Sequence, residues 1–272
     1  QYHFLSRAIA DQQHFMPLLQ YIRLIDIMAR MSLRADASRF FLGYVWWILE
    51  PLLWVGVFYV VFVTIMGTRE PDFLMFLATG KLMFVWFSKT VTQASNSIVG
   101  GKGLVGKINV PKTLFPMAVV QEGVYRQAAV FVTLGIILLS NGYTMTATWW
   151  YLVPLMIVNY VVIVACACLA ACLVCLARDF AQLISLGMLF LLFTSGVFWD
   201  VRTLDPEKMK MVLDVNPMAF LLDAYRQIMM HNTSPDMFHL LTIGAGFGAL
   251  LCMVVLFMRH RSQYLALRAL TA

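Results

Sequence analysis

The chain has 272 residues, 61% of them hydrophobic and only 12% charged, with a mean hydropathy of +0.78. A soluble domain carries roughly 25% charged residues, so this balance leaves too little polar surface for a water-soluble fold and excludes a second globular domain beside a membrane one. The net charge of +6 does not point to nucleic acid, because the cations sort by segment along the chain rather than massing in one basic region.

No apolar run with a small-residue cleavage site occurs in the first 40 residues, so no signal peptide is expected. The sequence opens on Gln1 rather than Met, so further residues are expected before it. Residues 1–44 form a cytoplasmic N-terminal segment in which 18–35 predict an amphipathic helix. Arg23, Asp26, Arg30 and Arg34 recur at helical spacing on one face, and Leu18, Tyr21, Ile22, Ile25, Met28 and Met31 cover the other. Such a helix suits the cytoplasmic membrane interface; the alternative is a helix packed on the protein's own inner face.

Six apolar stretches follow, at about 45–66, 73–98, 114–139, 149–175, 181–199 and 237–258. A helix rises about 1.5 Å per residue, so roughly 20 apolar residues cross a bilayer core. The expected fold is therefore an all-α integral membrane domain of six transmembrane helices over 45–258, with a basic cytoplasmic tail at 259–272. With both termini inside, the inner segments hold 12 of the 20 Lys and Arg and the outer segments 5, while Lys81, Lys89 and Arg126 lie within spans. The positive-inside rule accordingly places both termini in the cytoplasm.

The first span carries Trp46, Trp47, Trp54, Phe58, Tyr59 and Phe62, with Trp47, Trp54, Phe58 and Phe62 on roughly one face. Trp46 and Trp47 suit an interfacial belt. Trp54, Phe58 and Phe62 lie deeper, either as lipid-facing bulk or as a stacking surface. In the second span Lys81 and Lys89 fall about 12 and 24 Å from the outer helix end, and Glu122 of the third lies within about 6 Å in depth of either. Glu122 and Arg126 stand at i, i+4 and can pair. Charges at membrane depth mark either a pathway or a structural ion pair with a snorkelling lysine. Cys168, Cys172 and Cys175 share a face of the fourth span, but without His or acid they read as close packing rather than as a metal site.

Between the fifth and sixth spans, residues 200–236 predict a helical hairpin in the outer leaflet. Asp205-Pro206-Glu207 reads as an N-cap, a Pro at the first helical position and a first-turn acid. Asn216-Pro217 breaks that helix, and an amphipathic second one follows over 218–230. The hairpin is either a gate or a membrane-surface ornament. Between the second and third spans, Gly101-Lys102-Gly103-Leu104-Val105-Gly106-Lys107 spells most of a phosphate-binding loop, but Ile108 stands where the Mg²⁺-binding hydroxyl belongs and no strand precedes it. The segment reads instead as a short basic connector that a partner could grip. No catalytic constellation or metal motif is present, and none of His3, His14, His231, His239 or His260 sits in a nucleophile setting.

Taken together, an ordered set of short motifs resembles the permease subunits of polysaccharide-exporting ABC transporters, the O-antigen and capsule exporters with their teichoic-acid relatives. It begins with Leu42-Gly43-Tyr44-Val45-Trp46-Trp47-Ile48-Leu49-Glu50-Pro51 at the first span. Ser97-Ile98, Leu104, Lys107, Pro111-Lys112 and Leu114-Phe115-Pro116 follow, then Arg178-Asp179, Ser195-Gly196-Val197-Phe198, Asn216-Pro217-Met218 and Tyr225-Arg226. The resemblance covers about residues 18–260. One position departs from the pattern: Pro usually follows that Ser, and here it is Gly196, which leaves the geometry of that helix end open.

The resemblance implies a homodimer in the bacterial inner membrane that binds two separate ATPase subunits, where ATP and Mg²⁺ belong. This chain itself would hold no cofactor. The 100–113 loop, through Lys102, Leu104, Lys107 and Pro111, would seat on the ATPase. The first and fifth spans would line a channel through Trp47, Trp54, Phe58, Phe62, Phe190, Phe193 and Phe198. The hairpin, through Asn216, Pro217, Tyr225 and Arg226, would gate its outer mouth. The cargo would be an undecaprenyl-linked polysaccharide, O-antigen foremost. Two other classes remain beside it: an ion-coupled secondary transporter using Lys81, Glu122 and Arg126 as a relay, which lacks an inverted repeat, and a membrane enzyme of lipid-linked sugar metabolism, which lacks a cytoplasmic acidic cluster.

Overall fold

Within lipid every backbone N–H and C=O needs an internal partner, and a helix supplies them within one segment. The computed structural model describes residues 17–39, 41, 43–67, 72–105 and 110–271, and among these every regular element is helical. In chain order they are α1 (Leu18–Arg39), α2 (Trp46–Tyr59), α3 (Phe73–Ser95), α4 (Ser97–Gly100), α5 (Lys102–Val105), α6 (Leu114–Ser140), α7 (Leu152–Leu176), α8 (Asp179–Thr194), α9 (Pro206–Val215), α10 (Pro217–Met229), α11 (Met237–His260) and α12 (Ser262–Thr271). Short 3-10 segments lead into α2 and α7, and α2 runs on into a π-helical stretch, Val60–Ile65.

Among the described residues, five helical stretches are long and apolar enough to cross a membrane: Gly43–Phe62, Phe73–Ser95, Leu114–Ser140, Ala147–Leu176 and Met237–His260. The chain is a multi-pass membrane protein. The run expected as a fifth span over 181–199 is instead the 16-residue helix α8. It rises about 24 Å, short of the roughly 30 Å core. Its apolar sequence continues through Phe198 and Trp199, but the helix stops at Thr194 because Gly196 turns the chain with φ +69°. The Trp199 indole then folds back and donates to the Phe193 carbonyl at 2.8 Å. Proline, locked near −65°, cannot take this conformation, so this chain ends the helix differently from the Ser-Pro pattern. Gly196→Ala should cost about 1–2 kcal/mol for left-handed backbone, since its Cβ would also stand 3.1 Å from the Trp199 carbonyl. Gly196→Pro should cost more, read as a lower thermal midpoint of the detergent-solubilised protein; an unchanged midpoint would show that the turn is not rigid.

α3 and α7 form the centre. They pack on each other; α3 also meets α6 and α10, and α7 meets α11 and α12. Cys168, Cys172 and Cys175 are buried in this core, and the Cys175 thiol donates to the Leu265 carbonyl of α12 at 3.3 Å. Their role here is small-residue packing. The tail is not loose: Leu265 and Ala269 of α12 are fully buried.

α1 lies along α6. Its buried residues, Ile25, Ala29, Leu33 and Ala37, repeat every four positions, the spacing of one helical face. The expected apolar face therefore divides, because Leu18, Ile22 and Met31 stay exposed, as does Leu19 beside them. Polar contacts fix the packing: the Tyr21 hydroxyl meets Thr113 at 2.9 Å, and the Tyr125 hydroxyl donates to Asp26. That bond, with the Arg30 guanidinium, holds the Asp26 carboxyl below the usual carboxylate range.

The two helices of the hairpin differ sharply. α9 has no buried residue, whereas α10 is buried from Met218 to Met229 against α3 and α7. At α9, Asp205 stands in the N-cap position but its carboxylate pairs with Lys208 at 2.9 Å instead of capping. At α10 the cap is made: Asn216 Oδ1 accepts from the Met218 and Ala219 amides, and its Nδ2 donates to Ser195 Oγ at 3.0 Å. One side chain thus starts α10 and ties it to the end of α8.

Candidate functional site

Residues four apart on a helix share a face, which stacks Trp54 on Phe58 at 6.0 Å between ring centroids and sets Phe62 tilted against Phe58 at 6.4 Å. Phe198, in the turn after α8, meets Phe58 at 5.0 Å and Phe62 at 6.2 Å. Phe193 meets Phe198 at 5.6 Å. These five rings form one ladder joining α2 to the end of α8. Its outward rungs are open, with Trp54 50% and Phe193 59% exposed. Phe190, 68% exposed, stands one turn before Phe193 on the same bare helix. Trp47 is apart from the ladder, packed edge-on against Tyr44 at 4.9 Å.

Lys81 of α3 points its ammonium at the ladder, 5.7 Å from the Trp54 ring, 5.4 Å from Phe58 and 6.0 Å from Phe198. It is only 9% exposed. Among the described residues no carboxylate lies within ion-pair distance of it. The negative ring faces are what tolerate the charge there.

Beside this cage a cavity of about 280 Å³ opens between α2, α3 and α6. Its wall includes Trp47, Trp54, Lys81, Trp86, Lys89 and Arg126, so residues that the sequence offered as two sets, channel aromatics and intramembrane charges, meet in one place. Lys89 pairs with Glu50 at 2.8 Å, not with Glu122. Arg126 pairs with Glu122 and also with Asp36 of α1, and its guanidinium lies 5.4 Å from the Trp47 ring. Glu50 was legible as a lone acid inside an apolar stretch. Asp36 was not, since only the packing of α1 on α6 brings it to Arg126.

The hairpin residues hold fixed positions. The Tyr225 hydroxyl is fully buried and accepts from Asn159 Nδ2 at 3.2 Å. Arg226 donates to the carbonyls of Phe76 (3.2 Å), Gly196 (2.7 Å) and Val197 (3.2 Å), and lies 3.5 Å from the Phe76 ring centroid. Burial pulls its pKa down to about 10, so it remains charged at neutral pH. A side chain at Gly80 would collide with this guanidinium, which accounts for a glycine inside α3. The neighbouring buried Asp223 takes both donors of Arg202, at 2.9 and 3.0 Å, and Gln227 at 2.6 Å.

The profile of the ABC-2 type transporter family matches residues 24–230. The chain belongs to the ABC-2 type transporter family. Two Klebsiella pneumoniae proteins named O-antigen export system permease protein RfbA are similar to it. One is 24% identical over 212 residues, covering 77% of this chain and 81% of the relative; the other is 22% identical over 210 residues, covering 76% and 80%. A Myxococcus xanthus protein of the same name is 26% identical over 232 residues, covering 84% and 88%. The ladder, the Lys81 cage and both hairpin helices, α9 and α10, of this ABC-2 type transporter fall inside the matched residues.

Of the connector expected to meet a partner, this ABC-2 type transporter shows Lys102 and the backbone of Leu104 in α5, which packs on α12 and α4. Pro111 precedes α6. Lys107 lies outside the described residues, as do Leu42, His3 and His14.

Proposed function

We propose that this ABC-2 type transporter is the membrane subunit of an exporter of lipid-linked O-antigen. It acts as a homodimer in the inner membrane with two separate ATPase subunits, which carry the ATP and Mg²⁺. Both termini are cytoplasmic, and α8 with the turn that follows it serves as a short fifth span, which makes six in all. The observation that carries this reading is the five-ring ladder, whose end rungs Trp54 and Phe193 remain half or more exposed. A sugar polymer offers flat C–H faces edged with hydroxyls, and amphipathic rings stack on such faces without demanding one register. The names of the three relatives favour O-antigen over capsule or teichoic acid. An ion relay through Lys81 loses support, because Glu122 is committed to Arg126 and no carboxylate reaches Lys81 among the described residues.

Within this reading α10 is the fixed arm of the outer gate and α9, bare of buried residues, is the arm that moves. The exposed edge of α1, Leu18, Leu19, Ile22 and Met31, lies in the cytoplasmic leaflet's interface. Expression in a strain lacking its O-antigen permease, with the cognate ATPase present, should restore surface O-antigen; failure to do so while the protein reaches the membrane would refute the assignment.

The connector 100–113 then couples to the ATPase. It carries Lys102, Lys107 and Lys112 and no acid. Lys107→Glu combined with Leu104→Ala should abolish surface O-antigen and co-purification of the ATPase, while cross-linking still detects the dimer. Normal export by that double variant would place the contact elsewhere.

A further inference from the structure

The cavity between α2, α3 and α6 has an imbalance that the aromatic channel does not explain. Among the described residues, the two buried side-chain atoms of its wall without a partner, Trp86 Nε1 and Arg126 Nε, are both donors. The Trp86 indole N–H is buried and has no acceptor. The Arg126 Nε–H has none either, since Glu122 and Asp36 both take Nη2. Lys81 adds an ammonium whose neighbours among the described residues are ring faces rather than a carboxylate. The one carboxylate in the wall, Glu50, is occupied by Lys89 at 2.8 Å. Buried polar groups without partners are costly, and a cluster of donors calls for a ligand made of acceptors. A sugar hydroxyl donates as readily as it accepts. A phosphate ester or diphosphate accepts almost exclusively and carries the charge that the unpaired ammonium lacks.

We propose that this cavity is a binding site for the phosphate oxygens of an anionic headgroup, held by Lys81, Trp86 and Arg126 Nε. The inference rests on the export reading and extends it to the charged end of the cargo. A phosphate moving through a low-dielectric interior loses its hydration, and fixed donors replace it. Lys81 faces both the cavity and the ladder, and Trp54 belongs to both. A headgroup in the cavity would thus leave the sugar attached to it beside Trp54 and Phe58, the first rungs of the stack. The cavity volume of about 280 Å³ accommodates a diphosphate but not a stretch of polymer, so the polymer must run along the open ladder instead.

The test measures binding by the full chain in phosphatidylcholine nanodiscs, with radiolabelled farnesyl diphosphate as probe. Farnesyl diphosphate should bind saturably and be displaced by inorganic pyrophosphate but not by farnesol. Lys81→Gln and Trp86→Phe, which keep side-chain bulk, should each weaken binding about tenfold, the usual worth of a hydrogen bond to a charged group. Farnesyl diphosphate binding tighter than pyrophosphate assigns the site to a lipid-borne headgroup; equal affinity assigns it to free diphosphate. Loss of probe binding in discs containing phosphatidylglycerol assigns it to bulk phospholipid. All three keep the phosphate site. Farnesol competing as well as the diphosphate, or both variants binding like the parent, overturns it. Binding is read without export, so its failure leaves the O-antigen reading standing, and absent surface O-antigen with intact binding refutes only that reading.

Discussion

Arg226→Met should lower the stability of the detergent-solubilised protein by about 3–5 kcal/mol. The guanidinium donates to three carbonyls on two separated pieces of backbone: Phe76 in α3, and Gly196 and Val197 in the turn after α8. Methionine fills much of the volume but leaves those buried carbonyls without that donor. Arg226→Lys should fall between parent and Met, because an ammonium keeps the charge but cannot span three acceptors in the fork geometry of Arg. The same loss should free α10 from the end of α8, so protease cleavage between α8 and α9 should rise in step with the fall in thermal midpoint. A stability within about 1 kcal/mol of the parent, on the order of a single ordinary hydrogen bond, would mean that Asn216 and the apolar face of α10 hold the hairpin unaided.

This role was only half legible in the sequence. Tyr225-Arg226 stood out by resemblance and by its place in an amphipathic run, and both suggested a gate at a surface. The run MAFLLDAYRQIMM has an apolar and a polar side, which normally means one side in water or headgroups. Here the polar side is buried too, because Arg226 reaches backbone carbonyls and Asp223 takes Arg202 and Gln227. Periodicity reports which positions are polar, not whether other backbone awaits them. The long apolar helices were readable for the opposite reason: length and hydropathy are local, and lipid demands them everywhere. The end of α8 misled because Phe198 and Trp199 are apolar enough to extend a span, whereas the positive φ at Gly196 is a property of one glycine that hydropathy ignores. The Glu122–Arg126 pair follows from helical spacing alone. Its second acid, Asp36, and the Glu50 partner of Lys89 depend on how α1 and α2 dock on α6 and α3, which no local pattern encodes.

The aromatic ladder carries the largest expected effect on transport. If polymer slides along Trp54, Phe58, Phe62, Phe198 and Phe193, each ring contributes a weak, repeated contact of about 0.5–1.5 kcal/mol. Removing one should slow export about two- to tenfold, and removing two should multiply the losses. Trp54 and Phe58 also cage Lys81, so Trp54→Ala and Phe58→Ala lose a stack and loosen the ammonium at once. Phe62 and Phe193 touch no cation among the described residues and isolate the stacking contribution. Phe62→Tyr should export nearly as the parent, since a phenol stacks as well as a phenyl ring, whereas Phe62→Ala should slow export and the Phe62→Ala, Phe193→Ala pair should slow it further. The measurement is the rate of surface O-antigen appearance at matched membrane levels, with ATPase co-purification unchanged. Cysteines placed at Trp54 and Phe193 should react with a water-soluble thiol reagent in the working exporter. Parental export by the alanine pair, or labelling only by a lipid-soluble reagent, would turn these rings toward the bilayer and require the sugar path to lie elsewhere.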